Sequence, residues 1–93
     1  MSNEDNLDNV RSKRKVNREL SATMHGISVR RERIATILNK LGDAEGSERA
    51  TLSAGNARLI AANGKARQQT AEEKLAAEGV PESEWETKHR HSG

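Results

Sequence analysis

The sequence predicts an all-α protein: an elongated helical hairpin of two long helices, followed by a short C-terminal helix or tail. Three observations carry this reading. Larger apolar residues recur at spacings of three and four from Val10 onward, a glycine-containing break stands mid-chain, and Gly79 with Pro81 closes the second half.

The first helix is predicted over residues 10–41. Val10, Leu20, Met24, Ile27, Ile34, Leu38 and Leu41 form a heptad-spaced stripe in which Lys13, Asn17 and Arg31 also take places. At 1.5 Å per residue such a helix runs about 48 Å, far longer than a small globule needs. Asn17 and Arg31 stand where Leu would stabilise more. They read either as residues that fix register or as points where the stripe meets water, with Arg31 expected to pair with a glutamate of a partner helix.

Gly42 suits the position just past a helix end, and residues 42–47 read as a turn with Ser47 capping the next helix. That second helix, residues 48–78, is alanine-rich and carries Leu52, Leu59, Ile60 and Leu75. Gly55 and Gly64 inside it cost about 1 kcal/mol each relative to alanine. Small residues at Ala54, Gly55, Ala61, Ala62 and Ala66 would let another backbone come close and offset that cost. The competing reading is a helix frayed near Gly64. A single continuous rod is the rival architecture, because the heptad phase ending at Leu41 resumes through Leu52, Leu59, Ala62 and Ala66. Two glycines, an aspartate and a capping serine within six residues argue against it. Residues 81–84 have proline and acids where a short helix begins, with Trp85 expected to anchor that turn. The domain reading is an acidic flexible N-terminus (1–9), a hairpin (10–79) and a C-terminal short helix or tail (80–93).

Composition bounds what this scaffold can do. Among 93 residues there are 15 Leu, Ile and Val and no Phe, while 12 of the apolar residues are Ala, so a large self-sufficient core is not expected. Charged residues make up 32% and mean hydropathy is −0.93, close to disordered composition, yet the net charge of +2 is too small for that class. The isolated chain is expected to be weakly folded or to self-associate. Zero Cys excludes disulfides, Cys-based zinc sites and thiol chemistry and suits a reducing compartment. Glu4, Asp5 and Asp8 occupy the place of a basic leader region, and no apolar run approaches 18 residues. The expected location is therefore cytoplasmic or otherwise intracellular, incorporation into a larger particle included, with no membrane contact. A single aromatic, Trp85, cannot build a base-stacking platform, which leaves phosphate electrostatics for any nucleic-acid contact.

Charge is uneven: residues 1–10 sum to −3 and residues 11–18 to +5. On a helix, Arg11, Arg14, Lys15 and Arg18 lie away from the Leu20, Met24 and Ile27 stripe, with Arg33 behind them, making a basic outer face. Such a face neutralises phosphates, docks on an acidic protein surface, or is a solvated helix end. His25 reads as a surface residue. His89 and His91 offer two metal ligands, but Arg90 between them opposes a cation, and Glu82, Glu84 and Glu86 read as solubilising acids. Phosphate-loop, dinucleotide, zincin and nucleophile-elbow motifs are absent, and residues 12–15 match S-x-x-K by letters only. No enzyme activity, cofactor, metal or small-molecule substrate is expected.

The favoured function is a non-enzymatic helical assembly protein, whether adaptor, scaffold or inhibitor, that oligomerises or docks on a larger, partly acidic partner. Leu20, Met24, Ile27, Ile34, Leu38, Leu41, Leu52 and Leu59 would form its apolar stripe; Arg11, Arg14, Lys15, Arg18 and Arg33 its basic face. The alternative is a small DNA- or RNA-associated regulator binding phosphates through residues 11–18. The slight net charge and the adjacent acidic segment favour the first.

Overall fold

A computed structural model describes residues 3–86. Two long helices, α1 (Asn3–Lys40) and α2 (Ala44–Ala77), fold back on each other as a hairpin, and one 3-10 turn (Glu82–Glu84) follows. No strand occurs among the described residues. The molecule measures 59 × 30 × 22 Å. Its radius of gyration, 18.5 Å, exceeds the roughly 12 Å of a compact domain of this length.

Helix α1 begins seven residues earlier than the periodicity predicts, so the segment expected to be flexible is helical from Asn3. An acid-rich opening suits the positive end of a helix dipole. Asp8 accepts a 2.8 Å bond from Arg11 one turn on, and Leu7 and Val10 pack against the end of α2.

The break falls at the predicted Gly42 but is shorter than the predicted 42–47 turn: α2 starts at Ala44, four residues before the expected start at 48, and is capped differently. Gly42 turns the chain at φ +85°, and Asp43 N–H bonds Leu38 O at 2.9 Å. The cap of α2 is Asp43, not Ser47: its Oδ1 accepts the Gly46 N–H at 2.8 Å. A carboxylate placed three residues before a glycine N–H wins because Ser47 is already inside the first turn. The Ser47 hydroxyl instead donates across the hairpin to Ala35 O at 2.9 Å. At the far end, Gly79 (φ +80°) repeats the device, with Val80 N–H on Leu75 O at 3.0 Å.

The seam between the helices differs from the predicted stripe. On α2 the buried positions are Ala54, Ala57, Ala61, Gly64, Ala71 and Leu75, alternating steps of three and four except for one step of seven. Helix α2 runs unbroken through Gly64, where an added Cβ would stand 3.0 Å from Asn17 O and 3.3 Å from Ser21 N. The backbones are too close there for any side chain between them. Gly55, Ala62 and Ala66, also read as close-packing residues, lie off this line; Gly55 faces open space and the other two are exposed.

Facing this alanine line, α1 offers buried Val10, Ser28 and Ala35 and partly buried Arg14, Asn17, Ser21, Met24, Arg31 and Leu38. Of the predicted stripe, Val10, Met24 and Leu38 join the seam, with Asn17 and Arg31. Leu20 and Ile27 are half-buried at its edge, and Ile34 and Leu41 are exposed. Steps of three and four had connected two parallel lines of α1, and only the line with small or flexible side chains can approach alanine and glycine at this distance. Ser28, almost fully buried, satisfies its hydroxyl on His25 O at 2.7 Å. Asn17 donates to Lys13 O of its own helix at 2.8 Å. Arg31 reaches Ser53 O of α2 at 3.5 Å, a carbonyl in place of the expected glutamate, while Glu32 pairs with Arg58 on the other side of the hairpin.

Large side chains gather at the open end. Val10, Ala71 and Leu75, the last with no exposed surface, are covered by Leu7, Val80 and Trp85.

Candidate functional site

Two features stand out on this frame: an uncovered apolar flank and an arginine cluster that the chain itself occupies.

The flank follows from helix geometry. At about 100° per residue, Leu20, Ile27, Ile34 and Leu41 repeat every seven positions beside the seam, and Val16 and Ile37 lie on the next line outward. Ile34 is 45% exposed and Leu41 76%. Arg31 crosses to Ser53 on this side of the hairpin, and Ile60, seven residues after Ser53, therefore faces the same way. Leu52 and Leu59, both more than 60% exposed, occupy the outer edge of α2. The larger aliphatic residues of the loop half thus point mostly outward, because the alanine seam leaves them no room between the helices.

The arginine cluster lies at the open end. Arg11 Nε donates to Glu84 O at 2.8 Å, and Arg11 is only 5% exposed. Arg14 Nε donates to Glu72 Oε2 at 2.8 Å and its terminal nitrogen to Glu86 Oε2 at 3.0 Å. Arg18 binds the same Glu86 carboxylate at 2.6 and 3.4 Å. The Arg14 guanidinium also sits 5.4 Å from the Trp85 ring centre. Trp85, expected to anchor the turn, donates its indole N–H to Val80 O at 3.0 Å. The arginines, Arg18 first and then Arg14, hold the Glu86 carboxyl down at about 2. Glu72 is lowered as well, by the Gln68 amide and then by Arg14.

This arrangement changes the expected basic face. Arg11, Arg14 and Arg18 are spent on carboxylates and a carbonyl of the same chain, so no continuous row of open cations runs along residues 11–18. Lys15 is half-buried and Arg33 exposed about four turns beyond the cluster, and neither enters an ion pair among the described residues. Glu86, read from sequence as a solubilising acid, is the carboxylate that joins Arg14 to Arg18. Glu72 was not singled out; its place three residues before the buried Leu75, on the side facing Arg14, is the signal that would have found it. Val16 and Ile37 were likewise missed, because a single stripe was read where α1 carries two.

Among the described residues no group of three His, Cys, Asp or Glu is placed to hold a metal, and His89 and His91 lie outside them. No helix among the described residues is long and apolar enough to cross a membrane. Grooves between the helices include one lined by Lys13, Asn17, Arg67 and Lys74 and another by Arg18, His25, Arg58 and Lys65.

The fold is an antiparallel α-helical hairpin. No known protein family, no curated protein and no solved structure matches the chain.

Proposed function

We propose that this chain is a non-enzymatic assembly protein whose apolar flank docks on another protein surface. The observation that supports this reading is the inversion of its apolar residues: alanine fills the seam while Val16, Ile34, Ile37, Leu41, Leu52, Leu59 and Ile60 stand exposed. Covering them is worth on the order of 10 kcal/mol at about 1.5–3 kcal/mol per fully buried aliphatic side chain. That is comparable with the roughly 4–15 kcal/mol that association costs. Lys15 and Arg33 add long-range attraction for a partly acidic partner, an effect on encounter more than on affinity. The nucleic-acid reading loses its main support, since three of the five cations assigned to it already hold intramolecular partners.

Placing a photo-crosslinking residue at Ile34 or Leu59 in the full chain, in its host cell, tests the proposal. Covalent protein adducts are expected from both positions, suppressed by Ile37→Glu, with few from a crosslinker at Lys65 on the opposite side. Absence of adducts at Ile34 and Leu59, or equal labelling from Lys65, overturns it.

A further inference from the structure

We infer that the occupant of the flank along α1 is a second copy of this chain, packed antiparallel about a two-fold axis level with Ser28 and Val29. The inference rests on the reading of the flank as a docking surface and adds the identity of the partner.

Helix α1 carries two heptad lines. One faces α2. The other interleaves Leu20, Ile27, Ile34 and Leu41 with Val16, Thr23, Arg30 and Ile37 at alternating steps of three and four, the pattern of a helix that expects a second neighbour. No described residue covers this line fully, and its Val16, Ile34, Ile37 and Leu41 are among the most exposed large aliphatic residues.

An antiparallel copy is self-complementary there. Setting Leu20 against the second copy's Ile37 also sets Val16 against Leu41, Ile34 against Thr23 and Ile27 against Arg30, and the two-fold repeats each pair. A shift of one heptad either way leaves Leu41 or Val16 facing a polar residue, Asn9 or Glu48. A parallel pairing opposes Arg30 to its own copy, whereas the antiparallel register lays each Arg30 stem along Ile27 with its charged end free to reach water. The area fits as well. Residues 16–41 span about 38 Å, and a face two helices wide, about 20 Å, gives roughly 750 Å², close to the ~800 Å² that each side of a standard interface contributes. The same two-fold brings α2 over its copy, with Ile60 on the inner side.

The chain has no cysteine, which makes the register directly testable. Val16→Cys and Leu41→Cys are prepared as separate full-length chains and oxidised alone and as an equimolar mixture. The mixture is expected to form a mixed disulfide at least about tenfold faster than either chain forms its own. Unmodified protein should pass from 10.2 kDa to twice that mass as concentration rises, and Ile34→Glu, at an exposed position, should stay monomeric with unchanged helical circular dichroism. Rapid self-linking of Val16→Cys alone, as a parallel pair requires, overturns the inference. So does a monomeric mass up to millimolar concentration. In either case adducts from Ile34 and Leu59 to other proteins keep the docking reading alive, while their absence sinks that reading too.

Discussion

Gly64 of α2 lies against the backbone of Asn17 in α1, where an added Cβ would stand 3.0 Å from the Asn17 carbonyl oxygen. A backbone atom gives way less easily than a side-chain tip, so the helix propensity gained by alanine is overridden. Gly64→Ala should lower the melting temperature. Gly55→Ala, with open space around it, should raise stability by up to about 1 kcal/mol. Thermal denaturation of the two variants side by side checks the contrast; equal effects would mean the seam is looser than described.

Among the described residues Leu75 is the only large apolar side chain with no exposed surface. Leu75→Ala should cost about 2–5 kcal/mol, a large part of the stability of a small domain. Leu41→Ala removes a similar number of atoms at a position 76% exposed and should leave the monomer nearly unchanged. Urea denaturation at low protein concentration separates the two.

Asp43 takes the capping role that the sequence gives to Ser47. Asp43→Ala should cost about 1 kcal/mol as a lost helix cap. Ser47→Ala removes one hydroxyl bond to Ala35 O and should cost about 0.5–1.5 kcal/mol without fraying the start of α2. Amide exchange at residues 45–47 distinguishes the effects, with faster exchange expected only for the Asp43 variant.

The carboxyl of Glu86 titrates near 2 in the folded chain, down from its ordinary 4.5. A lowered acid stabilises the fold above its unfolded pKa, and the contribution is lost as pH falls through the folded value. Between about pH 4.5 and 2 the C-terminal segment should therefore loosen. Trp85, the sole aromatic residue, reports this through its fluorescence. In Glu86→Gln the acid-dependent change should shrink, the remainder coming from Glu72, which is also lowered. An identical acid transition in wild type and variant would show that Glu86 does not fasten the segment.

Because Arg11, Arg14 and Arg18 are internally paired, wild-type affinity for duplex DNA should be negligible at physiological salt. Tight, steeply salt-dependent binding, with a logarithmic slope of about −0.9 per phosphate, abolished by Arg14→Glu with Arg18→Glu, would instead promote the nucleic-acid reading.

The hairpin was legible because its signals are local: Gly42, Gly79 and Pro81 break helices, and spacings of three and four make them. The phase of the seam was not. Leu and Ile dominate any reading of apolar periodicity, yet here Ala54, Ala57 and Ala61 set the contact, and their importance appears only when an opposing backbone is close enough to exclude larger groups. The internal pairing of the basic face was hidden for a related reason. The sequence shows Arg14 and Arg18 as neighbours on a helix, but not that Glu86, 68 residues beyond Arg18, returns to meet them; only the left-handed turn at Gly79 makes that return possible.

A seam built of alanine and glycine also sets how the hairpin responds to temperature. Unfolding wets little apolar surface for each residue released, so the monomer's heat-capacity increment should fall below the usual ~12–15 cal/mol/K per residue. Its stability curve is correspondingly flat, with cold denaturation pushed far below freezing. Whatever curvature a calorimeter does detect in the monomer comes mainly from the cluster of Val10, Leu75 and Trp85, and it should grow when the flank is covered.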